Sequence, residues 1–246
     1  MRYKITIEYD GTNLVGWQKQ REGDSVQSLL VDSLKNVCKE EAEIFGAGRT
    51  DAGVHALGQV AHFDISKEFK PFKIREALNF YLREADAPVC VINAEIVDEN
   101  FNARFSAKSR SYVYRILNRR APSVLNKNRV WWVPVELDVE KMREGAKYLL
   151  GHHNFTSFRA AECQALSPMK TLDKLDIERV GDEIRFYVEA KSFLYHQVRN
   201  MVGTLKMVGD GHLAPEKVKE ILEAKNRAAA GPTAPACGLY FSGVKY

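Results

Sequence analysis

The sequence predicts an α+β fold: two similar α+β units, a largely antiparallel sheet, and helices on one side. Three observations carry that expectation. Stretches with alternating apolar residues interleave with stretches whose apolar residues recur every three or four positions. Gly181-Asp182 separates two strand-like runs as a two-residue hairpin connection, which makes the pair antiparallel. The mixture of strands and helices found before about residue 100 returns after it, although no sequence repeat is visible.

Arg2 to Tyr9 alternates, with Tyr3, Ile5, Ile7 and Tyr9 on one face, and Asp10-Gly11 ends it. Asp24 can cap a helix, with Gln27 as its capping-box partner. The apolar stripe of that helix is Val26, Leu29, Leu30, Leu34, Val37 and Cys38. A loop from Gly46 to Gly53 carries three glycines, and Gln59 to Ile65 alternates again. Phe72 to Leu82 has helical spacing. Val89 to Val97 is a β-branched run that fits a strand buried on both faces. Ser111 to Leu117 is a strand with Tyr112, Tyr114 and Ile116 together. Asp138 caps a helix that runs to Leu150 and stops at Gly151. Leu172 to Val180 and Glu183 to Ala190 form the hairpin. Phe193 to Val208 reads as a long helix closed by Gly209, Pro215 opens another, and Leu239 to Tyr246 is a last strand. No Pro/Gly/Ser-rich linker divides the halves. The expected domains are 1–105, with the glycine-rich loop, and 106–246, with the tyrosine strand and the long helix.

Composition excludes several classes. Of 246 residues 45% are apolar and 28% charged, the values of a globular chain. No apolar run approaches the roughly 18 residues of a membrane span. The first residues read directly as a strand without a signal-peptide pattern, so a cytoplasmic location is the expectation. Cys38, Cys90, Cys163 and Cys237 lie far apart, which rules out a thiolate zinc site from sequence neighbours. Cys38 and Cys90 read as buried thiols. His55 and His62, and the adjacent His152 and His153, are not spaced as a metal pair, so no metal is expected. Trp17 and Phe155 fit core packing better than a site lining.

The net charge of +4 conceals a strong local bias. From Asn100 to Val135 there is no Asp or Glu, but eight cations: Arg104, Lys108, Arg110, Arg115, Arg119, Arg120, Lys127 and Arg129. Phe101, Phe105, Tyr112, Tyr114, Trp131 and Trp132 are interleaved with them. Cations bind phosphates and aromatic faces stack on bases, so structured RNA is a natural partner. No helix-turn-helix, zinc-finger or basic-zipper pattern points to DNA. A solvated basic face is the competing reading.

The densest chemistry lies in Gly46-Ala47-Gly48-Arg49-Thr50-Asp51-Ala52-Gly53-Val54-His55. Read on its own, Asp51 can cap a helix, make an Asx-turn, or act as a nucleophile or base. No phosphate-cradling glycine motif is present.

Gly48 to Ala56 closely resembles the catalytic motif of the tRNA pseudouridine synthase A family. So do Tyr9-Asp10-Gly11-Thr12 with Gly16-Trp17-Gln18, Ser25-Val26-Gln27, Arg110 to Arg115, Gly151 to Arg159, Phe193 to Gly203, and Thr233 to Ala236 with Gly238-Leu239-Tyr240. Order and spacing hold from Tyr9 to Tyr246, with one departure at His153, where an acidic residue is expected. The resemblance implies ferredoxin-like units whose sheet can be continuous, and isomerisation of uridine to pseudouridine at tRNA positions 38, 39 and 40. It also implies a homodimer and no cofactor. Asp51 would be the catalytic carboxylate, acting at C6 of the base, at C1′, or on the C2′ proton. Arg199 would pair with it and hold it ionised, Tyr112 would stack on the target uracil, and Arg49 would steer the flipped nucleotide. Arg104, Lys108, Arg110 and Arg115 are the candidates for RNA phosphates. A non-catalytic RNA-binding module and an aspartate-based phosphoesterase are the rival readings. Asp51 in its Arg-Thr-Asp setting separates the first rival, and activity in excess chelator the second.

Overall fold

The computed structural model describes residues 1–246. Its strands and main helices are, in chain order, β1 (Arg2–Tyr9), α1 (Val26–Cys38), β2 (Ile44–Gly46), β3 (His55–Asp64), α2 (Pro71–Glu84), β4 (Val89–Val97), β5 (Ser109–Asn118) and β6 (Trp131–Val133). There follow α3 (Val139–Lys147), β7 (Gly151–Asn154), β8 (Met169–Val180), β9 (Glu183–Ala190), α4 (Gln197–Gly209), α5 (Lys217–Ala224) and β10 (Leu239–Lys245). The fold is α+β, and its sheet pairings are mostly antiparallel. The chain packs as two compact units, residues 1–108 with 240–246, and residues 109–239.

In the first unit β1 is central, antiparallel to β3 on one side and to β4 on the other. Ile5 lies opposite Ala61 in one ladder and Ala94 in the other. The alternating residues of β1 supply the core, with Tyr3, Ile5, Ile7 and Tyr9 all buried. The far edge of β3 takes β2 at one end and β10, in parallel, at the other, where Tyr240 pairs with His55. The last strand of the chain thus completes the first unit, although a division of the sequence at 105 assigns it to the second. Helix α1 buries Val26, Leu30 and Leu34, and α2 buries Ile74, Leu78 and Leu82.

In the second unit the order is β5-β9-β8-β7, every pairing antiparallel, with β6 added parallel to β5. Gly181 takes φ +59° in the two-residue hairpin turn between β8 and β9, a conformation that glycine adopts without a Cβ penalty. Helix α4 is buried along most of its length through Val198, Met201, Val202, Leu205 and Val208.

Four sequence expectations need correction. The cap of α1 is Ser25, whose hydroxyl accepts from Ser28 N–H at 3.0 Å while Ser28 Oγ reaches back to Ser25 N–H. Gln27 instead donates to the Ile44 carbonyl. Strand β4 is not buried on both faces: it is the end strand of its unit and alternates, so Cys90 is exposed and Cys38 only half-buried. Helix α4 begins at Gln197, because His196 before it holds φ +60° and breaks the helical run expected from Phe193. Helix α3 ends at Lys147 and not at Leu150.

Candidate functional site

The loop between β2 and β3 carries Arg49 and Asp51, and it is fixed through its main chain. Ala47 N–H donates to the Val60 carbonyl at 2.8 Å, and Gln59 Nε2 donates to the Gly48 carbonyl at 2.9 Å. Trp17 N–H donates to the Thr50 carbonyl at 3.0 Å, and Val54 N–H to that of Asp51 at 3.2 Å. The Thr50 hydroxyl, itself buried, meets the Tyr9 hydroxyl at 2.8 Å. Burial pushes the Tyr9 phenol up to about 12, against the hydrogen bonds of Thr50 and Gln59, so the group is a neutral hydroxyl across the physiological range. The turn after β1 lies directly on this loop. Gly16 holds φ +105°, and a Cβ there would sit 2.6 Å from the Thr50 carbonyl oxygen. At Gly11 a Cβ would sit 2.1 Å from the Val54 carbonyl oxygen. The glycines after Tyr9 therefore let one stretch of backbone seat another. Thr50 points inward, while Arg49 is exposed and Asp51 half-buried, so the two charged residues flank a buried anchor.

Two buried histidines lie on β3, His55 at its start beside this loop and His62 near its far end. The Asp10 carboxylate lies 3.1 Å from His55 Nδ1, and the His55 ring stacks on Tyr240 with centroids 4.7 Å apart. His62 Nδ1 accepts the Ala103 N–H at 3.2 Å, and its pKa is lowered by burial and by the Arg2 charge. Trp17 and Phe155 are both in the core. No group of three or more His, Cys, Asp or Glu is placed to hold a metal ion.

In the second unit, Tyr112 and Tyr114 project from the same face of β5 and differ in access. Tyr114 is 0% exposed, its hydroxyl donates to the Pro235 carbonyl at 2.7 Å, and burial drives its phenol well above the ordinary value. Tyr112 is half-buried and meets Phe193 edge-on at 5.1 Å. Arg199 lies in the first turn of α4. Its Nε donates to the Ala234 carbonyl at 2.7 Å, and its own carbonyl accepts the Ala234 N–H at 3.1 Å. One edge of that guanidinium is thereby oriented.

The basic candidates differ from one another. Arg104 is exposed beside Phe105, and Lys108 Nζ donates to the Tyr246 carbonyl at 3.1 Å. Arg110 Nη1 donates to the Lys191 carbonyl at 2.6 Å. Arg115 grips Glu183 through Nε and Nη2, and Arg185 shares the same carboxylate. Arg119 pairs with Asp182 at 3.1 Å. The acid-free segment of the sequence therefore receives its acids from the β8–β9 turn. The surrounding arginines hold the Glu183 carboxyl below its ordinary range against the effect of burial. Tyr9, Gln59 and Thr50 escaped sequence reasoning as loop supports. Tyr9 reads as the last apolar residue of β1 and the first of a motif that resembles the family, but neither reading points to its contact with Thr50, and nothing marks Gln59 as a support.

A family model described as tRNA pseudouridine synthase matches residues 5–106 and 146–246. The tRNA pseudouridine synthase A of Paramagnetospirillum magneticum is 56% identical over 245 residues, covering 100% of this chain and 95% of that protein. The proteins of that name from Parvibaculum lavamentivorans and Xanthobacter autotrophicus are 52% and 51% identical, with 100% of this chain and 99% of each relative covered.

Proposed function

This chain belongs to the tRNA pseudouridine synthase family, isomerases that convert uridine to pseudouridine in tRNA, and from that premise we propose that it acts at positions 38, 39 and 40 of the anticodon stem-loop with Asp51 as catalytic carboxylate. The observation that carries the role of Asp51 is the loop itself. Four hydrogen bonds hold the main chain and a fifth holds the Thr50 hydroxyl, so Asp51 and Arg49 are presented from a rigid support. Such preorganisation is what a reacting carboxylate requires, because misplacement of a catalytic group by about 1 Å costs on the order of a hundredfold in rate.

The chemistry follows from the product. The bond from C1′ to N1 of uracil breaks, the base turns, and a bond from C1′ to C5 forms. The proton on C5 is lost and N1 ends protonated, so the sum is an isomerisation with no oxidant or energy source. A uridine inside a stem is extruded first, and Arg49, exposed beside Asp51, is suited to steer it. Tyr112 is the stacking partner for the uracil and the acceptor for its C5 proton, because it keeps access that Tyr114 lacks. Arg199, its Nε edge fixed by Ala234, is the guanidinium assigned to pair with the carboxylate. Arg104, Lys108, Arg110 and Arg115 are assigned to tRNA phosphates.

Base-resolution mapping of pseudouridine in tRNA before and after incubation with the pure protein tests the positions. Product elsewhere in the tRNA overturns the anticodon assignment. Asp51→Ala is expected to abolish product while tRNA affinity stays within a few fold. Turnover retained in that variant removes Asp51 from the chemistry, and binding without turnover by the unmodified protein favours a pure RNA-binding role.

A further inference from the structure

Phe105 is 80% exposed, whereas the next most exposed aromatic, Phe72, is at 51%. A phenyl ring left in water forgoes the stabilisation that burial supplies. A slack loop would let it fold over a neighbouring surface, but this loop is tied. Asn102 Oδ1 accepts the N–H groups of both Arg104 and Phe105, at 3.0 and 3.1 Å. Asn102 N–H donates to Ser106 Oγ at 3.0 Å, and Ser106 N–H donates to the Asn102 carbonyl at 2.9 Å. On either side Ala103 and Ala107 are buried. Ala103 N–H goes to His62, and its carbonyl accepts the Tyr246 hydroxyl at 2.9 Å. The ring is thus held outward from a fixed seat.

The seat is shared with the loop of Asp51. Ala103 packs in one small core cluster with Ala47 and Val60. Asp51 lies four residues beyond Ala47, a chain length of at most about 14 Å, and Phe105 lies two beyond Ala103. The neighbours of the ring decide what it suits. The Arg104 guanidinium carbon stands 5.6 Å from the ring centroid, Asn102 and Ser106 are polar, and no carboxylate occurs in the chain between Asn100 and Val135. A protein partner is met by several apolar side chains together. A lone aromatic beside cations is the arrangement that stacks an unpaired base and grips its backbone.

We propose that Phe105, with Arg104 beside it, is a stacking platform for an unpaired nucleobase of the tRNA substrate. The proposal rests on the reading of the chain as a tRNA-modifying enzyme and adds a contact outside the residues assigned above. The test compares the purified wild-type protein with Phe105→Ala, Phe105→Trp and Arg104→Gln. Binding of tRNA and of heparin is measured over a range of salt, with the kinetics of pseudouridine formation. Phe105→Ala should weaken tRNA binding about tenfold and raise KM more than it lowers kcat. Its salt slope should match wild type, because no phosphate contact is lost, whereas Arg104→Gln should lower the slope by about one. Phe105→Trp should keep affinity within about twofold of wild type, and its added emission should be quenched by tRNA but not by heparin. Wild-type tRNA affinity in Phe105→Ala overturns the platform. So does an equal loss for heparin, or a loss that tracks dissociation of an oligomer, which would make the ring a protein contact. If the wild-type protein forms no pseudouridine in tRNA, the functional reading itself fails. If it does and Phe105→Ala is indistinguishable from it, only the platform fails.

Discussion

The loop around Asp51 and the strand around Arg115 both present charged side chains from a rigid frame, but the frames are satisfied differently. In the loop, the fixing bonds fall on the carbonyls of Gly48, Thr50 and Asp51 and on the Thr50 hydroxyl. On β5, the guanidinium of Arg115 is itself a fixing group, locked to Glu183, and Arg119 is joined to Asp182. A cationic run in a sequence is therefore not yet a cationic surface. What remains available depends on which acids the topology brings back, and here they arrive from more than 60 residues away.

That contrast can be broken at Gly16, where the largest effect on folding is expected. Gly16→Ala forces a Cβ to within 2.6 Å of the Thr50 carbonyl at φ +105°. A loss of about 3 kcal/mol in urea unfolding is expected, with activity falling further. Stability within 0.5 kcal/mol of wild type, an amount on the order of an ordinary surface change, would mean that the loop does not need its seat. Next is Glu183→Gln, which strands Arg115 and Arg185 at a mostly buried acid. It should cost about 1–2 kcal/mol, less than a fully buried pair because the arginines keep some solvent. Arg115→Gln should lower the salt slope of tRNA binding by less than Arg104→Gln does, and equal slopes would show that Glu183 releases Arg115 to the RNA. Tyr9→Phe removes the bond to Thr50 and should cost about 1 kcal/mol. Its kcat should fall more than its KM rises, as expected of a group that positions the loop. An unchanged kcat would confine Tyr9 to packing.

The smallest effect concerns pH. Burial, helped by the Arg2 charge, holds the folded His62 pKa below 6.5. As pH falls through 6.5 the unfolded histidine takes up a proton and the folded one does not, so stability drops below that point. The depressed carboxylates, Asp64 and Asp138 below 3.8 and Glu183 below 4.5, act only at lower pH. Thermal unfolding between pH 7.5 and 5.5 should therefore show a loss that His62→Gln reduces. Parallel pH profiles for the two proteins would assign it elsewhere.

The long elements were legible because burial leaves a period. Tyr3, Ile5 and Ile7 alternate in β1, and the β8–β9 turn announces itself by Gly181-Asp182. Strands β2, β6 and β7 have three or four residues, too few for a period, and exist by pairing with a longer neighbour. The β-branched run of β4 imitates a strand covered on both faces, and only its place at the end of the unit exposes Ile92 and Ile96. At the candidate site the motif around Asp51 was plain. Its supports were not, because Tyr9, Trp17 and Gln59 reach it through contacts that local pattern does not encode.

The return of β10 to β3 has a consequence for biosynthesis. Tyr240, which stacks on His55, leaves the ribosome only after the whole of the second unit. At about 5–20 residues per second, the first unit waits several seconds or more with one stretch of β3 unpaired. The unit that carries the Asp51 loop is therefore finished last, and a nascent chain stalled before residue 240 would carry that loop on an incomplete sheet.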